Sequence, residues 1–290
     1  MPISASKGGI MKKFLLILIL LIVACLAVGG FYYGKIKQQF VKVETVQIDP
    51  QLTVYLGGGG NSIVLISEDG SKALVVDTKM KKAAEKLRET VKASDITIVN
   101  THAHFDHTGG NSLYPSAKII SGAYTAEQWN NESKKTSRYP DVVLKTGEEK
   151  VINVGSEIVH VRNMGRAHTW NDVIVYCEKR KLLVTGDLVF IDMHPALYAK
   201  SGASVASWIG VLDSLSKQYE IKILIPGHGK ISDQSALATM RDYFVSIGDA
   251  IGKPDKQADL KKKYQDYFSL PCIFSFRNTT KFIEKERKSQ

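Results

Sequence analysis

Three of the chain's seven histidines fall within six residues, in Thr101-His102-Ala103-His104-Phe105-Asp106-His107. The apolar run Ile96–Asn100 predicts a buried strand that leads straight into this segment, so the histidines emerge together at a strand end. Residues two apart, leaving a strand as a turn begins, can aim both imidazoles at one ion, which pairs His102 with His104. Asp106 and His107 fall on the next turn, within reach of a second ion. Imidazole and carboxylate ligands suit zinc, and a catalytic zinc keeps one position open to water. A chain built around such a segment has to fold so that further ligands reach the same rim.

Three later positions offer them. His168 lies in Gly165-Arg166-Ala167-His168-Thr169, ahead of a strand predicted over Val173–Tyr176. Asp187 follows the apolar run Leu182–Val184, and His228 follows Ile223–Ile225 within Pro226-Gly227-His228-Gly229. Ligands gathered from several strand ends are the usual way an α/β sheet builds a site at one rim.

The rest of the body reads as mixed α/β. Strands are predicted at Val43–Ile48, Leu52–Leu56, Ser62–Ile66, Ala73–Asp77, Ala117–Ile120 and Glu157–Val161, and helices at Lys79–Lys92, Ser204–Tyr219 and Gln234–Ile251. The turn Gly57-Gly58-Gly59-Gly60-Asn61 joins two strands and lacks the following Lys-Ser/Thr of a phosphate loop, so it reads as a flexible hairpin tip over the site. No repeat or linker splits the body. We therefore expect an N-terminal segment over residues 1–40, one domain over 41–252 and a basic C-terminal tail over 253–290 without clean periodicity.

Composition excludes several classes. With 44% hydrophobic and 23% charged residues in 290, the chain is globular and long enough to bury a core without staples. Three cysteines, Cys25, Cys177 and Cys272, are too few for a disulfide framework, although the last two could pair if folding brought them together. The net charge of +10 is spread along the chain and reads as a solvated surface, so it gives no ground for a nucleic-acid partner.

The N-terminal segment points to a membrane. Fifteen consecutive apolar residues, Phe14–Val28, follow Lys12-Lys13, and no charge appears until Lys35. The uncharged stretch is just long enough to span a bilayer core, and Met11 reads as a start of its own. An uncleaved anchor, cleavage near Gly29 or Gly30, and lipidation of Cys25 are the three fates open to it. Each places the body outside the cytoplasm of a bacterium, in the cell envelope or periplasm.

Taken together, these motifs resemble the metallo-β-lactamase superfamily, over residues 43 to about 240. The resemblance implies an αββα four-layer sandwich with a two-zinc hydrolytic site. It implies that His102, His104 and His168 bind one zinc, that Asp106, His107 and His228 bind the second, and that Asp187 bridges them. Asp77 matches an acid the family places beneath the site. A water held between two zinc ions, deprotonated near neutral pH, is the nucleophile such a site supplies, with Asp106 as proton shuttle. His194 and Trp170 are further candidates for contact with substrate.

The superfamily hosts many chemistries. Lactamase branches that use a cysteine ligand would carry it where Asp187 stands, and the histidine-rich lactamase branch typically lacks a bridging aspartate. Diiron flavoproteins of this fold put Glu where His104 is. The nucleases usually carry an inserted domain, for which the 59 residues between His168 and His228 leave little room. The expected activity is hydrolysis of a small ester, thioester, lactone or amide, with β-lactams within its chemistry. The alternatives are a thioesterase like hydroxyacylglutathione hydrolase, or a membrane-tethered metal-binding module without catalysis.

Overall fold

Two sheets stacked face to face, each covered by helices on its outer side, set the position of every strand end that matters below. The computed structural model describes residues 40–289 except Cys272, together with Leu20, Val23, residues 26–34, Ile36 and Lys37. The first sheet runs in chain order, β1 (Val43–Asp49), β2 (Leu52–Gly57), β3 (Ser62–Ile66), β4 (Lys72–Val76), β5 (Asp95–Val99), β6 (Lys118–Gly122) and β7 (Val142–Leu144). Its first three pairings are antiparallel and its last three parallel. The second sheet has the order β12 (Ile223–His228), β11 (Leu182–Phe190), β10 (Val173–Cys177), β9 (Glu157–Asn163), β8 (Glu149–Val154), with only β11 and β12 parallel.

The strands alternate, but both faces are apolar because both are covered. Ile63, Leu65, Leu74 and Val76 point inward and meet Val159, Val161, Val175 and Val184 of the other sheet. Val64 and Val75 point outward and pack beneath α1 (Lys81–Thr90), which buries Leu87 there. On the far side, α4 (Val205–Gln218) and α5 (Ser235–Ala250) lie on the second sheet, with Trp208, Leu212 and Phe244 against Leu183 and Leu224. Full burial contributes roughly 1.5–3 kcal/mol for each such side chain. The αββα expectation holds. Cys177 is buried as a free thiol, and Cys272, with which it could pair only if folding brought the two together, lies outside the described residues.

The C-terminal region departs from expectation. The described residues of 253–289 are not an irregular tail: they contain α6 (Pro254–Lys263) and α7 (Phe276–Lys288). Tyr264, Leu270, Phe274 and Ile283 join the core beneath α4 and α5. Ser275 caps α7 by accepting from Asn278 N, and Glu286 accepts from Val205 N at the start of α4. Only Thr279 and Ile283 of α7 are fully buried, so a narrow apolar stripe is all the period there is to read.

Before β1, the described residues 26–34, Ile36 and Lys37 are helical, with Leu26, Val28, Phe31 and Tyr33 exposed. Among the described residues no helix is long and apolar enough to cross a membrane. Lys12, Lys13, Cys25 and most of the run Phe14–Val28 lie outside them.

Candidate metal centre

The parallel strands β4, β5, β11 and β12 end at one rim, and the sequence candidates gather there. After β4 the chain enters Asp77, and after β5 it turns through Thr101 and His102 into the one-turn helix α2 (Phe105–Thr108), which carries Asp106 and His107. His168 comes from the β9–β10 loop, Asp187 from within β11, and His228 from the last position of β12.

Two groups of potential ligands result: His102, His104, His168 and Asp187, and Asp106, His107 and His228. In the first, His104 Nδ1 lies 3.0 Å from His102 Nε2 and 3.1 Å from His168 Nε2. Asp187 Oδ2 lies 3.2 Å from His168 Nε2 and 3.8 Å from His102 Nε2. In the second, Asp106 Oδ2 lies 3.4 Å from His228 Nε2 and 3.8 Å from His107 Nε2. The other oxygen of Asp187, Oδ1, stands 3.2 Å from His107 Nε2 and 3.5 Å from His228 Nε2. Asp187 thus turns one oxygen to each group.

The fit to cations can be tested on protonation. Asp77 Oδ2 takes His107 Nδ1 at 2.7 Å, which puts the proton on Nδ1 and leaves Nε2 as a lone pair. That lone pair faces carboxylate oxygens, and both His107 Nε2 and Asp187 Oδ1 are buried without a hydrogen-bond partner. Acceptors facing acceptors in a dry site call for positive charge between them. The electrostatics agree. Burial opposes ionisation of Asp187, but His228, His107 and His102 hold its carboxyl well below the usual range. Burial works against a charged His107 as well, yet with no cation between them Asp187, Asp77 and Asp106 raise its pull for a second proton well above that of an ordinary imidazole, which is the same demand for positive charge at Nε2.

Further residues hold these ligands in place. Asp77 accepts from Thr101 N at 2.8 Å and Thr101 Oγ1 at 2.7 Å, besides His107. On the opposite side, Glu132 at the end of α3 (Ala126–Glu132) stands 3.3 Å from His104 Nε2, the nitrogen turned away from the other ligands. Ser201 Oγ donates to the same Glu132 oxygen at 2.9 Å. Asp172 shapes the His168 loop by accepting from Thr169 N at 2.9 Å and Thr169 Oγ1 at 2.8 Å.

The glycine turn is a correction. It is no flexible tip, since residues 58–61 are buried and pinned. Gly60 N donates to Asp106 O at 3.1 Å, and Asn61 N to Gly227 O at 2.7 Å. Lys79, fully buried with φ +61°, donates its Nζ to the carbonyls of Tyr55, Gly57 and Gly60 at 2.9, 2.6 and 2.8 Å. Burial draws this amine down to about 7, while Asp77 and Asp106 favour its charge. Only glycine fits at two points beside the ligands: a Cβ on Gly60 of the turn would lie 2.2 Å from the His107 ring, and one on Gly227 of β12 1.9 Å from Asp187 Oδ1.

Two candidates lie elsewhere. Trp170 packs against Gly202 and beneath Arg166, and does not line the cleft over the ligands. His194 is buried among Tyr243, Tyr267 and Phe276, with Nδ1 2.7 Å from Tyr243 Oη. Sequence reasoning missed Lys79, Glu132 and Asp172. Of these only Asp172, four residues after His168, carries a local signal.

The family model of the metallo-β-lactamase superfamily matches residues 56–228, which run from the glycine turn to the last ligand. The chain belongs to this superfamily. Relatives include a type 2 metallo-β-lactamase of Bacillus sp. (strain 170), 27% identical over 225 residues covering 70% of this chain and 84% of the relative. A protein of Methanocaldococcus jannaschii, named "Probable metallo-hydrolase MJ0888", is 26% identical across 63% of this chain and 93% of its own length. Among solved structures, a metallo-β-lactamase from Pontibacter korlensis shares the fold with a TM-score of 0.59 at 22% identity, over 69% of this chain and 98% of its own. The named relatives are metallo-β-lactamases and a probable metallo-hydrolase, and this chain gathers His and Asp groups that could hold metal ions.

Proposed function

We propose that the chain is a dinuclear zinc hydrolase of the bacterial cell envelope, acting on a small ester, thioester, lactone or amide. The observation that carries this reading is Asp187, whose two oxygens face two separate groups of three ligands. His102, His104 and His168 would hold one zinc, Asp106, His107 and His228 the other, with Asp187 shared. Bound there, zinc supplies Lewis acidity and lowers the pKa of water. The protein's own part is positional and acid–base. Asp106 approaches His107 and His228 through Oδ2, which leaves Oδ1 to take a proton from the attacking water and return it to the leaving group. His107 and His228 hold the Asp106 carboxyl below the usual range against the effect of burial, so it starts ionised. β-Lactams fall within this chemistry, but an aspartate in the place of a cysteine ligand separates the site from that lactamase branch.

Elemental analysis of protein purified without chelator should find two zinc ions per chain. Iron or manganese at stoichiometry would refute the metal. Zinc-loaded protein should turn over at least one member of a panel of esters, thioesters, lactones and a chromogenic cephalosporin. A silent panel would favour the metal-binding module instead. The apolar run behind Lys12-Lys13 supports export, with the segment retained as an anchor. A full-length mass in the membrane fraction is the expected result, and a cytoplasmic soluble chain would refute it.

A further inference from the structure

Four of the seven expected ligands, His104, Asp106, Asp187 and His228, line a cleft of about 690 Å³, within the range of small-ligand sites. Much of its wall comes from outside the residues the family model matches. Ile36 and Phe40 enter from the N-terminal side, and Leu270, Ile273 and Phe274 from the segment between α6 and α7. The Phe40 ring centre lies 5.9 Å from that of Phe274 and 6.0 Å from that of His228, so the apolar wall reaches the ligands themselves. Elsewhere the lining carries Lys81, Lys134 and Lys200. Lys134 Nζ sits 3.6 Å from the Phe105 ring centre. No ion pair within 4 Å occupies any of these three amines among the described residues. The lining acids are already committed: Asp106 and Asp187 to the metal groups, Glu132 to His104 and Ser201.

An apolar wall beside ammonium groups without a carboxylate partner among the described residues matches a molecule with a hydrocarbon tail and a negative charge. We propose that the site hydrolyses single-chain anionic amphiphiles: acyl esters whose tail lies along the Phe40 and Phe274 wall and whose leaving group carries an anion met by the three lysines. This rests on the hydrolase reading above. Water adds to the acyl carbon, the acyl–oxygen bond breaks, and the proton passes to the departing oxygen. The products are a fatty acid and an anionic alcohol, and no redox partner is needed.

The test uses the full-length, zinc-loaded chain in lipid nanodiscs, with empty discs subtracted. Acetyl, butanoyl, hexanoyl and octanoyl esters of 4-hydroxybenzenesulfonate are compared with the same esters of neutral 4-hydroxybenzenesulfonamide. A buried methylene is worth about fourfold, so kcat/KM should rise at least about thirtyfold from acetyl to octanoyl. Ile36 and Ile273 are 39% and 40% exposed, so their replacement spares the core. Ile36→Ser with Ile273→Ser should flatten that rise at least about threefold. Lys81→Gln, Lys134→Gln and Lys200→Gln together should cut the preference for sulfonate over sulfonamide by about tenfold. Octyl sulfate should bind more tightly than methyl sulfate by calorimetry, a readout independent of turnover. Hydrolysis with a flat chain-length profile would overturn this proposal and leave the hydrolase intact. Total inactivity with preserved octyl sulfate binding would overturn the hydrolase and keep the ligand class. Equal binding of the two sulfates would overturn the ligand class outright.

Discussion

His104 and His107 stand in the two ligand groups, each with a carboxylate behind it, but the two supports differ in depth. The His107 side chain and its Asp77 partner are 0% and 1% exposed, against 12% and 16% for His104 and Glu132. Asp77 is fixed by two bonds from Thr101, and His107 is overlain by Gly60 in a turn clamped through Lys79. Among the described residues Glu132 has only Ser201 besides His104, and it ends a seven-residue helix at the cleft wall. One half of the site is therefore set by the core, and the other by elements that line the substrate space. We expect the first half to be intolerant of change and the second to adjust.

The largest effect should come from Asp106, which belongs to the rigid half yet faces the cleft. Asp106→Asn should lower turnover by roughly 10²–10⁴, with a smaller loss of metal, since His107 and His228 remain. Stopped-flow rates set beside zinc content would separate the two. Activity that merely follows the zinc lost would leave Asp106 as a ligand alone. Next, Asp77→Asn removes the charge behind His107, and zinc affinity in that half should fall roughly 10–100-fold. Thermal stability should fall as well, because bonds to a buried carboxylate contribute about 1.5–3 kcal/mol each. Glu132→Gln should cost about tenfold or less in the other half, because Ser201 can still donate to the amide oxygen. Competition with a chromophoric chelator measures both. Equal losses in the two variants would break the asymmetry.

The same contrast governs what could be read from the sequence. All seven ligands lie in a segment that follows an apolar run or in a Gly-bearing loop, and three histidines two and three residues apart have few other uses. The supports are harder to see. Asp77 was legible as an acid ending a strand, but Glu132 lies 25 residues from His107 on a helix with no metal spacing of its own. Lys79 reads as the start of a charged helix. Its left-handed φ and its three carbonyl partners arise only when the β2–β3 turn folds beneath α2. Strands β7 and β8 escape because one has three residues and the other, at a sheet edge, buries only Val154. The apolar wall of the cleft unites two segments more than 200 residues apart, which no local pattern announces.

His194 supplies the smallest effect and a control for the rest. It is as buried as the ligands but meets tyrosines where they meet carboxylates. Burial alone pulls it down to about 4. An unfolded histidine takes its proton near 6.5, so between about 6.5 and 4 the unfolded chain binds the proton more readily than the folded one. This residue therefore leaves stability unchanged above about 6.5 and subtracts from it as pH falls through that window. The loss levels off below about 4, at a total on the order of 1–3 kcal/mol. His194→Gln keeps a partner for Tyr243 and removes the titration. Zinc-loaded variant and parent, melted at pH 7 and at pH 5, should differ less at pH 5 than at pH 7 if the variant is the weaker packer. The parent should show the steeper decline between the two. Equal slopes would mean that the native fold lets His194 ionise, and that the Tyr243 contact tolerates a charge in this pocket.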